Sequence, residues 1–300
     1  MRFNSLPNLP RAFSLKRLTA LLSLLLIVGL LTAAPASMQS RSTQTQSAIA
    51  VVLNNEPYVP GQVVVQLNPG YDMSTVASMY GLDPVPLGQL TLGVPPDPVV
   101  IEYLLRITDN STVEAKVAAL SADTVRVAFA EPNHNGGAPE AARPTWSVGD
   151  SFANIMAGRK AANTQWARTK IRVDEAQQVT RGAVAAGVLS PEPRPIVVAV
   201  LDTGIDLNHP AFAGRLVAPS DMYDFVGNDP DPSEEGSAEI GPYGHGTHVA
   251  GLIAMVAPDA KIMPLRVLGA DGKGDFFRLA EAIKFALAHG ANVINLSLST

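Results

Sequence analysis

Ile196-Val197-Val198-Ala199-Val200-Leu201-Asp202-Thr203-Gly204 is the stretch on which the fold turns. Six consecutive apolar residues closed by a Thr-Gly turn are too short for a helix. They suit a strand buried on both faces, as parallel sheets require when helices cover each side. Asp202 then emerges at the carboxyl end of that strand, where open α/β sheets place their sites. Working outward, the sequence predicts a helix from about His245 to Met255, a strand over Lys261–Leu268, a helix from Asp275 and a strand over Asn292–Leu298. Such alternation is the signature of a doubly wound, mostly parallel α/β sheet, here incomplete and assigned to residues 165–300. In the second helix Asp275 is the expected N-cap, Phe276, Leu279, Ile283 and Leu287 form the apolar face, and Gly290 ends it.

Upstream lies a second unit, residues 58–133. Strand-like Gln62–Leu67, a helical pattern over Ser74–Tyr80, extended segments at Gln89–Val94 and Val99–Ile107, a helix through Val117 and Leu120, and a strand over Thr124–Ala130 follow one another. Ser111 and Glu114 fit a capping box opening the second helix. The order β-α-β-β-α-β predicts a small α+β ferredoxin-like sandwich. Residues 134–164, with Gly136-Gly137, Pro139 and Pro144, read as a linker suited to processing, and residues 37–57 as a disordered connector. Residues 1–36 carry Arg11, Lys16 and Arg17, then the apolar run Leu18–Leu31, then a small-residue stretch through Ala36. That is a secretory signal pattern, with an apolar run shorter than the roughly 20 residues of a membrane span. Export is therefore expected, without stable membrane association after cleavage near Ala33–Ala36.

Composition excludes whole classes of function. A net charge of −5 without a long Lys/Arg run does not suit a phosphate-neutralising surface, so nucleic acid is not an expected partner. With no Cys, a thiol nucleophile, a Cys-ligated zinc and a disulfide framework are all ruled out.

Two segments carry chemistry. Asp202 alone would read as a helix cap or turn former. In Gly244-His245-Gly246-Thr247-His248-Val249-Ala250-Gly251 a histidine stands between two glycines at the start of a small-residue helix. An imidazole held by a buried carboxylate is the general base that a hydroxyl nucleophile needs, whereas alone it would read as a packed core histidine. His245 and His248, with Asp202 and His209, also raise a metal-dependent hydrolase, but the spacing lacks the glutamate of H-E-x-x-H. No metal ligand set is assigned from this pattern.

Together, Val198-Ala-Val-Leu-Asp202-Thr-Gly-Ile-Asp206 and Gly244–Gly251 resemble two active-site motifs of the subtilisin-like serine peptidases. The resemblance extends through Val267–Gly274 and Val293–Leu298, over about residues 165–300. It implies a secreted serine endopeptidase precursor in which Asp202 orients and stabilises an imidazolium and His245 is base and then acid. It also implies that Gly272, Lys273 and Gly274, with Ser297, Leu298 and Ser299, pair with an extended polypeptide substrate. No cofactor is implied for the chemistry. The preceding unit resembles the family's propeptide, which implies an intramolecular inhibitor and folding template whose C-terminal end, Phe129–Asn133, threads toward Gly272-Lys273-Gly274. Neither the nucleophilic serine nor the oxyanion-hole asparagine is found by Thr300, so the serine is expected beyond it and the chain by itself is expected to be inactive; a non-catalytic binding protein of the same fold is the alternative. Ser299-Thr300 replaces the family's usual Gly-Gly. Asp224, Asp229 and Asp231 resemble a structural-calcium loop of some members, against the plainer reading of a solvated acidic loop.

Overall fold

Val63, Val64 and Val65 sit in the middle of β1 (Tyr58–Leu67), and their alternation divides the first unit's sheet into two working faces. Val63 and Val65 join Val76, Ala77, Leu105, Val113 and Leu120 beneath two helices, α1 (Met73–Met79) and, after β2 (Gly88–Leu92) and β3 (Val100–Arg106), α2 (Val113–Ala122). Val64 points the other way, where Leu90 and Leu104 extend an apolar patch. With β4 (Val127–Gly137) the strand order is β2-β3-β1-β4, the ferredoxin-like arrangement expected. This is a computed structural model, and it describes residues 57–93, 98–139, 166–185, 195–237 and 242–299. The signal pattern, the connector up to residue 56 and most of the 134–164 linker fall outside those residues. One division of the chain groups residues 1–54 with 93–100, and the other, residues 55–92 with 101–300, contains everything described below residue by residue.

Two boundaries differ from expectation. The second helix is capped by Thr112, whose Oγ1 accepts from Ala115 N at 3.2 Å, and not by Ser111. Asp109 Oδ1 accepts the Ser111 amide at 3.1 Å, which holds Ser111 in the preceding turn and delays the helix by one residue. β4 does not stop at Glu131-Pro132 either. Pro132 lies where the β1–β4 register is irregular, between Tyr58 and Val63, and a proline is tolerated at such a bulge because no ladder donor is required there. The strand therefore continues through Asn133 to Gly137.

Two helices follow, α3 (Trp166–Lys170) and α4 (Val173–Ala185). Beyond them the second sheet is fully parallel. β6 (Tyr223–Asp224) pairs with β7 (Lys261–Arg266), and β7 and β9 (Val293–Leu296) flank β5 (Val197–Asp202), so the order is β6-β7-β5-β9. Successive residues of β5 serve opposite faces. Val200 packs with Ala250 and Ala254 of α5 (His245–Val256), while Ala199 and Leu201 pack with Ala282 and Ala286 of α6 (Phe276–Ala288). A strand buried on both sides by helices is what its unbroken apolar run dictates.

In α6 the expected cap is present, with Asp275 Oδ1 accepting from Arg278 N at 3.0 Å. Its apolar face is wider than the predicted stripe: Leu279 and Ile283 pack on the core, but Leu287 is exposed. Phe277 instead faces the first unit and is buried against Val64, Leu90 and Leu104. Asn133 locks that junction, since its Nδ2 donates to Gln62 Oε1 (2.9 Å) and Asp275 Oδ1 (3.2 Å) while its Oδ1 accepts from Phe277 N (3.3 Å). One buried amide thus satisfies groups from β1 and from the start of α6. Among the described residues no helix is long and apolar enough to cross a membrane.

Candidate active site

Asp202 ends β5 and is 1% exposed. The chain turns away through Thr203-Gly204, where Gly204 has φ +113° and a Cβ would lie 2.8 Å from Pro232 O. That conformation and that approach both demand glycine. His245 opens α5 after Gly244, also left-handed at φ +86°. Gly246 brings the helix against the strand end, because a Cβ there would meet Gly204 O at 2.1 Å and Asp202 Cβ at 3.1 Å.

The result is a short contact: His245 Nδ1 lies 2.7 Å from Asp202 Oδ1, with Asp202 buried and His245 partly so. An ionised carboxylate only accepts, so Nδ1 is the donor in this contact. Asp202 Oδ1 also accepts the Thr203 amide at 2.7 Å. Asp202 Oδ2 is buried and has no hydrogen-bond partner among the described residues. A base oriented and charge-compensated by a buried carboxylate suits proton removal from a hydroxyl nucleophile.

Sequence reasoning missed Glu234. Residues 232–234 run beside the Asp202 turn, with Ile205 N donating to Pro232 O (3.0 Å) and Glu234 N to Ile205 O (3.2 Å). The Glu234 carboxylate accepts from the Thr203 hydroxyl and Gly244 N (2.8 Å) on Oε1, and from Thr247 Oγ1 (2.6 Å) on Oε2. Burial pushes its pKa up, opposed by these three hydrogen bonds, and the charge of Asp202 adds to the rise. An acidic dipeptide in a polar loop has no period that would have singled it out.

The first unit's last strand enters the same region. Asn135, Gly136 and Gly137 pair antiparallel with Asp275, Gly274 and Lys273 of β8 (Lys273–Asp275). On its other edge Gly137 exchanges hydrogen bonds with Ser299, Gly137 N to Ser299 O at 2.9 Å and Ser299 N to Gly137 O at 2.7 Å, and Ala138 N donates to Gly272 O at 2.8 Å. An extended peptide therefore lies as a middle strand between the 272–275 and 299 segments. The threaded residues are Asn135–Gly137, not Phe129–Asn133, because β4 runs past its predicted end. Of the predicted substrate-pairing residues, Gly272, Lys273, Gly274 and Ser299 are at this strand. Ser297 Oγ is instead 3.0 Å from Asn295 Oδ1, and Leu298 packs on the core.

The acidic loop is held by its own hydrogen bonds. Asp224 is buried and fully engaged, its Oδ1 accepting from Val226 N (2.7 Å) and Gly227 N (2.9 Å) and its Oδ2 from Arg266 Nη1 (2.6 Å). Asp229 and Asp231 close turns at Asp231 N and Ser233 N. Among the described residues no three His, Asp or Glu side chains are gathered as a metal would need. His209 uses Nδ1 to cap the 210–212 turn, and its ring lies tilted against Phe212.

Residues 194–300 match the subtilase family (Peptidase_S8), and residues 44–133 match the fervidolysin N-terminal prodomain. A thermophilic serine proteinase of Bacillus sp. (strain AK1) is 30% identical over 267 residues, which are 86% of this chain and 56% of that protein. Thermitase of Thermoactinomyces vulgaris is 35% identical over 147 residues, 46% of this chain and 45% of its own. An intracellular serine protease of Paenibacillus polymyxa is 33% identical over 114 residues, 35% of this chain and 33% of its own. The chain thus spans about half the length of the first two relatives. The segment that matches the subtilase family carries the doubly wound sheet with the Asp202–His245 pair at its carboxyl ends, and the segment before it matches a prodomain.

Proposed function

We propose that this chain is the precursor part of a secreted subtilisin-like serine endopeptidase, with Asp202 and His245 as the acid–base pair of its triad. The 2.7 Å contact between buried Asp202 Oδ1 and His245 Nδ1 carries the reading. His245 Nε2 takes the proton of a serine hydroxyl as that oxygen attacks a peptide carbonyl, then gives it to the leaving amine. Asp202 keeps the imidazole in the required tautomer and stabilises the imidazolium, without itself becoming protonated. The serine is supplied by sequence following Thr300, a reading supported by the partial coverage of the relatives.

Extended polypeptide is the substrate class, bound as an added strand between residues 272–274 and Ser299. Asn135–Gly137 already occupies that position, which supports the first unit as an intramolecular inhibitor and folding template. Processing falls in the linker, residues 134–164. Export is supported by the charged and apolar pattern of residues 11–36.

The test is chemical. Full-length processed protein is incubated with casein, with a sulfonyl fluoride or with EDTA. Loss of hydrolysis with the sulfonyl fluoride and retention with EDTA is expected. The converse result sinks the serine mechanism, and no hydrolysis at all favours a binding protein.

A further inference from the structure

The geometry points to Glu234 as a positioning residue for the Asp202–His245 pair, one carboxylate that clamps the Asp202 turn to the first turn of α5. The inference rests on the assignment of that pair as the acid–base machinery. Each of the three groups that Glu234 accepts from belongs to one side of the pair. Thr203 follows Asp202 directly; Gly244 precedes His245, and Thr247 is two residues beyond it.

Hydroxyl directions are fixed by the backbone. Thr203 Oγ1 accepts the Gly246 amide at 3.0 Å, and Thr247 Oγ1 accepts the Asp206 amide at 2.8 Å. Each hydroxyl therefore bridges the two segments as an acceptor and has its own proton left to donate. Both protons end on Glu234, as does the Gly244 amide. The closed circuit holds the Asp202 turn and the His245 turn from both directions, with Thr203 and Thr247 buried. Such fully satisfied polar networks rigidify what they join.

Removing the carboxylate leaves two hydroxyls and an amide without their acceptor, and of the hydrogen bonds that join the two segments only those of the Gly246 and Asp206 amides and the His245–Asp202 contact remain. Loosening by a fraction of an ångström acts on the 2.7 Å contact of the pair, and misplacement of about 1 Å can cost about a hundredfold in rate. Glutamine keeps the shape and one acceptor oxygen, so it restores the Oε1 contacts to Thr203 and Gly244 while its amide faces Thr247. Asp202 is the charged group whose field reaches Glu234.

The experiment compares Glu234→Ala, Glu234→Gln, Asp202→Asn and a neighbouring control, Glu235→Gln, in the full-length protein. Casein hydrolysis gives kcat and KM, the acid limb of kcat/KM reports His245, and the downfield Nδ1 proton of His245 is followed by NMR. For Glu234→Ala we expect kcat to fall about ten- to a hundredfold, with KM within about twofold. The acid limb should move to lower pH and the Nδ1 proton resonance broaden or vanish. Glu234→Gln should recover part of each effect and Glu235→Gln should match wild type. If Glu234→Ala does not fold, the glutamine variant carries the test through its acid limb and Nδ1 resonance. Unchanged kcat, limb and resonance in Glu234→Gln, beside a wild-type-like Glu234→Ala or one that fails to fold, overturns the inference while Asp202→Asn remains inactive. An active Asp202→Asn overturns the acid–base reading beneath it.

Discussion

Gly246→Ala sets two effects of known sign against each other. Within a helix alanine is favoured over glycine by up to about 1 kcal/mol, and by less in the first turn where Gly246 stands, so propensity alone predicts a more stable protein. The added Cβ, however, would stand 2.1 Å from Gly204 O, a backbone atom fixed by the pairing of residues 204–206 with 232–234. Non-bonded Cβ contacts do not fall below about 3.0 Å, so helix and strand must part by about 0.9 Å at this point. Overpacking of this kind costs roughly 1–3 kcal/mol and sometimes more, which outweighs the propensity gain. The net expectation is destabilisation of about 1–2 kcal/mol, with the His245–Asp202 separation stretched beyond hydrogen-bonding reach. Urea denaturation of the chain reads the first effect, and the His245 Nδ1 proton the second. Gly214→Ala is the contrasting case: unlike Gly246 it is left-handed, at φ +71°, but its Cβ meets nothing within 4 Å, so it should cost about 1 kcal/mol and leave the pair untouched. A Gly246→Ala protein as stable as wild type, with the Nδ1 resonance intact, refutes the close-approach argument.

Further predictions follow from the same contacts. Phe277→Ala empties a site walled by Val64, Leu90 and Leu104 and should cost about 3–5 kcal/mol, read as a lower denaturation midpoint; a change under about 1 kcal/mol would mean the first unit's sheet does not rest on α6. Gly137→Ala would place a Cβ 2.6 Å from Gly272 O, so the Ser299 and Ala138 amides should lose protection in hydrogen exchange, and undiminished protection contradicts the threaded strand. Lys116, buried in the first unit, holds the Asp109 carboxyl down at about 2, below its ordinary 3.8. Because the folded value is depressed, this stabilisation is complete above pH 3.8 and is lost as pH falls toward 2. Asp109→Asn should therefore flatten the fall of Tm over that window, and an unchanged slope sinks the assignment.

The parts of the fold governed by local pattern were legible in the sequence. Ile196–Leu201 announced a strand covered on both sides, and the same run placed Asp202 at its carboxyl end. Asp275 was readable as a cap because the apolar period starts just after it. Elements that answer to distant partners were not. Gly136-Gly137 reads as linker by composition, yet glycine is what a strand needs when its flank meets the backbone of residue 272. Pro132 reads as a stop, but a register irregularity in β1 removes the donor requirement that makes proline a stop. Leu287 belongs to the helical stripe by spacing and is nevertheless exposed, while Phe277, off that stripe, is buried by a unit more than a hundred residues away in sequence. In the site, Asp202 stood out at the end of an apolar strand and His245 between two glycines, and only together did the two segments resemble a known pair of motifs. Glu234 was hidden because its role depends on two threonines that meet only in three dimensions.

Asp202→Asn in the full-length protein tests the central claim most directly. An amide of the same shape preserves packing around the 2.7 Å contact but can hold the imidazole in the wrong tautomer and cannot stabilise the imidazolium. In a related triad the equivalent change lowers kcat by about 10⁴ with the geometry intact. The account predicts a loss of that order in casein hydrolysis, with an unchanged denaturation midpoint. Turnover within about tenfold of wild type, in a variant that folds normally, would contradict it.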